Sequence, residues 1–242
     1  MIEPVDIPTR ETTSFLAAHL PREATVLEVG CGKGHVARAL HQLGYHVTAL
    51  DSDVVSLDEV RRWGIKTQLA VWPAYQGEKV DAIAFTRSLH HIHPLDDALR
   101  RVQEVLKPKG RLLIEDFAFG EADVDTIHWF VKKLRCETIH RWINLNSGEF
   151  VTTLLEASDP IAAWHHDHSH HIHPIQTMTK AVADRFHLKS TLAVPYLYRY
   201  LIPVLPPTQI AAALVEELFH AEARAAEMGK ISLIGRRIVA HF

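Results

Sequence analysis

ATVLEVGCGKGHVARALHQLGYHVTALD, residues 24–51, decides the fold. The apolar run ATVLEV ends at Gly30, as a buried strand should. Gly30-Cys31-Gly32-Lys33-Gly34 then forms a loop. HVARALHQLG reads as a helix with Val36, Ala39, Leu40 and Leu43 on one face and Gly44 as its stop. YHVTALD is a second strand. Strand, glycine loop, helix, strand is a βαβ unit, and it has a ligand-binding logic. Glycines take positive φ and let the backbone approach a ligand, while the helix that follows presents unpaired N–H groups and a positive dipole end. The spacing is G-x-G-x-G. The dinucleotide fingerprint G-x-G-x-x-G would need glycine where His35 stands. Asp51, at the end of the second strand, can accept both hydroxyls of a ribose. NAD sites place a carboxylate there too, so Asp51 alone does not discriminate. Lys33 is not followed by Ser or Thr in the manner of a Walker loop.

The alternation continues outward. SDVVSLDEVRRWG is a helix, IKTQLAV a third strand, and VDAIAFT (80–86) a fourth. Pro94 opens a helix whose Leu95, Ala98, Leu99, Val102, Val105 and Leu106 make one apolar stripe. KPKG ends it and RLLIEDF (111–117) is a fifth strand. From about Gly120 to Lys189 the pattern turns mostly helical. TLAVPYLYRYL (191–201) then reads as a strand, which would set Tyr196, Tyr198 and Tyr200 on one face. That face is either half-buried sheet or an aromatic wall for a substrate. A long amphipathic helix closed by Gly229 and a last strand, ISLIGRRIVAHF, complete the chain.

EVGCGKGHVARAL, ALDSD and FTRSLHHIHPLDDALRRVQEVLKPKGRLLIEDF resemble the class I S-adenosylmethionine-dependent methyltransferases, especially those acting on small molecules, over about residues 24–117. The resemblance implies an α/β fold: a Rossmann-like, seven-stranded, mostly parallel sheet with helices on both faces. It would be a single domain over 1–242, with a helical lid inserted at 121–190 after the fifth strand. It also implies S-adenosylmethionine as methyl donor. Glu28, Gly30, Cys31, Gly32 and Gly34 would line its methionine end, Asp51 would hold the ribose, and Ser52 would lie next to the adenine. Thr86, Arg87 and Ser88 would offer backbone carbonyls near the donor's amino group. Many relatives carry an acid after the third strand for the adenine N6. Here Ala70-Val71-Trp72 stands instead, leaving adenine to backbone groups or to stacking on Trp72.

Histidine is the unusual ingredient, with 18 in 242 residues. His90, His91 and His93 follow the fourth strand, at the sheet edge where ligands bind in such folds. His90 is the candidate base or acceptor contact, with Glu115 and Asp116 as carboxylate alternatives. The run WHHDHSHHIHP (164–174) is dense enough in imidazole to suggest zinc, nickel or ferrous iron, but it lacks a helical H-x-x-x-H pair or a Cys-His finger spacing. The expectation is therefore a lid segment rather than a metal site, with His168, His171 and Tyr196 touching the acceptor.

Composition narrows the rest. A net charge of −3 leaves no electrostatic footprint for nucleic acid. The Asn-Pro-Pro-Tyr type tetrad of many nucleic-acid amino methyltransferases is replaced by Thr86-Arg87-Ser88-Leu89. No apolar run approaches the roughly 20 residues that span a bilayer. Two cysteines, one of them in the glycine loop, do not make a disulfide framework, so a cytoplasmic location is expected. The expected partner is a small-molecule methyl acceptor, without nucleic acid or membrane. The competing readings are an RNA methyltransferase, a metal-binding or sensory protein using 165–173, and an NAD enzyme.

Overall fold

The computed structural model describes residues 2–167 and 172–242. In chain order the elements are α1 (Asp6–His19), β1 (Thr25–Val29), α2 (His35–Gln42), β2 (His46–Asp51), α3 (Val54–Arg62), β3 (Lys66–Leu69), β4 (Val80–Thr86), α4 (Leu95–Val105) and β5 (Leu106–Phe117). They continue with α5 (Val124–Leu134), α6 (Glu137–His140), α7 (Phe150–Glu156), α8 (Pro160–Asp167), α9 (Ile175–Ala183), β6 (His187–Val194), α10 (Gln209–Glu227) and β7 (Gly235–His241). Two compact units result. A sheet unit holds Thr9–Asp116, His173–Leu192 and Arg236–Phe242; a helical unit holds the N-terminal residues to Pro8, Phe117–Ile172 and Ala193–Gly235.

The seven strands run in the order β3-β2-β1-β4-β5-β7-β6. β1 is an inner strand, with Val26 level with Val47 of β2 and Ala82 of β4, both parallel. Strands covered on both faces must be apolar throughout, and β1 and β4 are buried along nearly their whole length. α2 buries Val36, Ala37 and Leu40. Leu43, expected on that face, lies beyond the last helical turn and is 60% exposed. α4 buries the expected stripe from Leu95 to Val105. The strand after it starts earlier than expected: Leu106 already pairs with Val80, and the register then jumps to Arg111 opposite Ala82.

Two features depart from the sequence pattern. α1 carries no clean apolar stripe, because it buries Thr12 and Thr13 as well as Phe15 and Leu16. The segment expected as a helical lid over 121–190 is shared between the units, since α9 packs on α4 within the sheet unit while α5 to α8 belong to the helical one.

In the helical unit α5, α7 and α8 pack on one another around Phe130, Leu154 and the fully buried Trp164. The Trp164 indole N–H donates to the carbonyl of Phe119 at 3.0 Å. The strand expected at 191–201 is a correction: β6 stops at Val194, and Leu197–Val204 is a 3₁₀ helix. Pro195 has no N–H for a ladder. The buried Glu222 carboxylate of α10 accepts the backbone N–H groups of Tyr196, Leu197 and Tyr198 at 2.7, 3.1 and 3.3 Å, fixing the first helical turn. The three tyrosines therefore share no strand face. Tyr196 stacks on Phe117 with centroids 4.8 Å apart, while Tyr198 meets the edge of Phe219 at 5.1 Å.

Candidate active site

The carboxyl ends of β1, β2, β4 and β5 gather most of the residues singled out in the sequence. The glycine loop is tied to β2, with the N–H groups of Gly30 and Cys31 both donating to the carbonyl of Leu50 at 2.8 and 3.1 Å. Gly30, Gly32 and Gly34 all have positive φ, between 51° and 71°. A Cβ on Gly30 would fall 2.5 Å from the Ser88 Cβ, so the loop and the turn after β4 can meet this closely only without a side chain there. Ser88 closes the contact from its side by donating its hydroxyl to the Val29 carbonyl at 2.5 Å.

Asp51 sits where expected, half-buried at the end of β2. Its Oδ2 accepts the Gly32 N–H at 2.7 Å and its Oδ1 the Asp53 N–H at 3.0 Å, which locks the carboxylate against the loop. Ser52 is exposed beside it. Asp53 caps α3 through the N–H groups of Val55 and Ser56. Glu28 is buried, and its Oε1 accepts the Thr86 hydroxyl at 2.8 Å. Its Oε2 is buried with no partner among the described residues. Burial raises the Glu28 carboxyl to about 7 against the pull of Thr86 and Arg87, and burial also pushes the Cys31 thiol up. Arg87 is exposed at positive φ, and its N–H donates to the Glu115 carbonyl at 2.7 Å.

A consequence for stability follows from Glu28. Its native pKa lies above the usual 4.5, so the folded state retains a proton that the unfolded chain releases. The stabilisation is complete below pH 4.5 and is lost as pH rises to about 7, at a cost of roughly 3 kcal/mol from this group. Glu28→Gln, which keeps an acceptor for Thr86, should flatten that part of the profile. Urea unfolding of both proteins on either side of the window checks it; identical slopes would show that Glu28 does not retain its proton.

Trp72 does not serve as expected. It is 4% exposed, donates its indole N–H to the Ala98 carbonyl of α4 at 3.1 Å and meets Phe85 edge-on at 5.9 Å. A ring held in the core by a buried hydrogen bond offers no face for an adenine. Glu115 is likewise structural, accepting the Thr12 hydroxyl at 2.5 Å and the Arg237 guanidinium at 2.7 Å.

His90 lies on a 3₁₀ turn, Leu89–His91, just past β4, and is 5% exposed. Its Nδ1 is 2.6 Å from Oδ1 of Asp116, itself fully buried near the end of β5. The sequence offered Asp116 only as an alternative to His90; the fold makes the two a pair. A carboxylate can only accept, so Nδ1–H donates, and the basic lone pair of the ring is on Nε2. The His91 ring lies 4.0 Å from that of His90, and burial, then the neighbouring His90, hold its pKa low.

His168 and His171 lie outside the described residues. His165 and His166 are exposed on the last turn of α8. Tyr196 belongs to the helical unit. Among the described residues no group of three or more His, Cys, Asp or Glu side chains could hold a metal ion. No helix among them is long and apolar enough to cross a membrane.

A family model described as a methyltransferase domain matches residues 8–159. The chain belongs to the methyltransferase domain family. It is 30% identical over 207 residues to an S-adenosyl-L-methionine-dependent Diels-Alderase of Talaromyces variabilis, an alignment covering 76% of this chain and 66% of that protein. It is 33% identical over 100 residues to a ubiquinone biosynthesis O-methyltransferase of Xylella fastidiosa, covering 38% and 41% of the two. Its fold matches that of 1,6-didemethyltoxoflavin-N1-methyltransferase from Burkholderia thailandensis, solved with bound 1,6-didemethyltoxoflavin and S-adenosylhomocysteine. That match has a TM-score of 0.54 and 18% identity over 96% of this chain and 77% of the other. The chain thus spans less than two thirds of the length of these two curated relatives, and the seven-stranded sheet of this methyltransferase-family chain is what the resemblance implied.

Proposed function

We propose that this chain binds S-adenosylmethionine and transfers its methyl group to a small-molecule acceptor that gives up a proton from oxygen or nitrogen. His90 is the base and Asp116 the group that orients it. The buried His90–Asp116 hydrogen bond of 2.6 Å carries the reading, because an imidazole held this way is what proton removal needs and methyl transfer to a non-acidic centre does not. The relatives named as O- and N-methyltransferases support it.

The residues fit the donor. Glycines at 30, 32 and 34 leave three loop positions without side chains, Asp51 is fixed at the end of β2, and Glu28 has a buried oxygen beside the loop with no partner among the described residues. Asp51 would hold the ribose, with Ser52 near the adenine. Glu28 and the backbone of Gly30 to Gly34 and of Thr86 to Ser88 would hold the methionine end. When bound, the donor supplies a methyl group already activated by a sulfonium charge. What remains for the chain is alignment and a place for the proton. In this proposal His90 Nε2 takes that proton from the acceptor, and the imidazolium is stabilised by Asp116 across Nδ1–H.

A second reading comes from the Talaromyces relative, whose name describes a pericyclic rather than a transfer reaction. There His90 would hydrogen-bond a polarised substrate and no methyl group would move. Calorimetry with S-adenosylmethionine, S-adenosylhomocysteine and NAD, followed by incubation of methyl-labelled donor with phenols, catechols and N-heterocycles, separates the cases. Binding of both sulfur ligands but not NAD, with label transferred to an O–H or N–H compound, is expected. No heat with either sulfur ligand sinks the donor assignment; donor binding with only unlabelled, rearranged product favours the second reading. Asp51→Ala should weaken binding of S-adenosylhomocysteine by about 1.5–3 kcal/mol, through loss of a charged acceptor. Unchanged affinity would take the ribose away from Asp51.

A further inference from the structure

One histidine of the histidine-rich stretch joins the sheet unit without a part in the reaction above. We propose that His173 is a positioning residue that straps the turn carrying His90 to α9, an inference that rests on His90 being the base.

Three contacts from this one residue reach the turn and the two residues that follow it. The His173 backbone N–H donates to the His90 carbonyl at 2.9 Å. Its ring Nε2 donates to the Ile92 carbonyl at 3.0 Å. Its ring also lies against that of His93, with centroids 3.9 Å apart and planes at 38°. The turn needs such support. Its own bonds are His91 N–H to the Ser88 carbonyl at 3.2 Å and Ile92 N–H to the Leu89 carbonyl at 3.0 Å, and a three-residue 3₁₀ turn has poor hydrogen-bond geometry. Rotation of the His90 peptide would swing Nδ1 away from Asp116, which sits on a different strand.

The other end of the strap is anchored. α9 starts two residues after His173 and buries Ile175, Met178 and Val182. It packs on α4, and beyond its end the Arg185 carbonyl accepts from the Gln103 side chain at 3.1 Å while the Arg185 guanidinium pairs with Asp96. His173 therefore links the turn that carries His90 to a helix packed on α4. Imidazole suits the place, because it combines a flat face for His93 with an N–H for the carbonyl. Burial holds its pKa low against the hydrogen bond to Ile92, so the bond is made by a neutral ring, which places no charge beside the base.

The test uses two variants and a readout that needs no acceptor. His173→Phe keeps the flat ring and loses the donor; His173→Gln keeps an N–H donor and loses the ring. In ¹⁵N-histidine NMR, with His90 assigned from the spectrum of His90→Asn, the wild type should show His90 locked as its Nδ1–H tautomer. His173→Phe should show averaged His90 nitrogen shifts, and His173→Gln should restore the locked pattern. With a working acceptor, His173→Phe should lower kcat by about 10-fold, the scale of one lost hydrogen bond. KM and affinity for S-adenosylhomocysteine should stay within about twofold, and His173→Gln should recover most of kcat. An averaged His90 in the wild type would overturn the His90–Asp116 reading, and this proposal with it. A locked His90 in the wild type and equally in His173→Phe would overturn the strap alone. So would a His173→Gln variant as averaged as His173→Phe.

Discussion

His90→Asn should lower kcat by about 10²–10⁴-fold while affinity for S-adenosylhomocysteine stays the same, the range expected when a positioned general base is removed. Asparagine keeps a polar group of similar reach on the turn, so the loss would come from the missing base and not from an empty space. Asp116→Asn is the sharper companion. Its carboxamide can present N–H to the ring, which favours the tautomer with the lone pair on Nδ1 and the proton on Nε2, turned toward the acceptor. The base would then be present, intact and blocked. A fall in kcat comparable to that of His90→Asn is expected, again without loss of donor binding. Turnover within about threefold of wild type in both variants would mean that the acceptor needs no proton removed. The reading would then pass to the hydrogen-bonding role that the Diels-Alderase relative suggests.

How far the sequence spoke for itself depended on how local the deciding physics was. The unit from β1 to β2 was legible because glycines mark its turns and its apolar periods switch from strand to helix and back within 28 residues, 24–51. The position of Asp51 at the end of β2 is legible for the same reason. α4 announced itself by a stripe that is buried at every expected position, although its last residue, Leu106, opens β5 instead of ending the helix. α1 did not, because its buried face includes Thr12 and Thr13, and the Thr12 hydroxyl makes sense only once Glu115, 103 residues away, is opposite it.

The same limit governs the site. Three histidines follow β4, and nothing local separates His90 from His91 and His93. The separation comes from Asp116 on the neighbouring strand, whose carboxylate meets the His90 ring. A Trp near a ligand edge suggests stacking as one way to hold an adenine, but the Trp72 indole is claimed by a carbonyl of α4, 26 residues on. The tyrosines at 196, 198 and 200 mimic a strand by alternation. Pro195 was the available warning, since it ends a ladder, but the acceptor that makes the 3₁₀ turn, Glu222, comes from α10. Each error is a case in which a distant polar group overrode a local pattern.

The glycine loop provides the second large effect. Gly34→Ala should destabilise the protein by about 2–5 kcal/mol. The backbone at Gly34 has φ +70°, where an L-residue pays roughly 1–2 kcal/mol. An added Cβ would also fall 2.4 Å from Cγ2 of Val60, a fully buried residue of α3 that packs in the same core as Val36 and Leu40. Overpacking of that kind typically costs about 1–3 kcal/mol. Relief would have to come from moving α3 or the start of α2, and either motion opens the loop. Gly32→Ala is the informative contrast. Its φ is +51°, but a Cβ there meets nothing within 4 Å, so only the backbone part of the cost, about 1–2 kcal/mol, applies. Its methyl group would project from the residue whose N–H is bonded to Asp51, next to where the proposed donor's ribose would lie. Urea midpoints and calorimetry with S-adenosylhomocysteine on the two variants should therefore diverge. Gly34→Ala should lose mainly stability, whereas Gly32→Ala should stay folded and lose mainly donor affinity. If Gly34→Ala unfolds at the wild-type midpoint, Val60 yields freely and the loop is not held by its packing on α3; if Gly32→Ala binds as tightly as wild type, the donor does not approach the loop at Asp51.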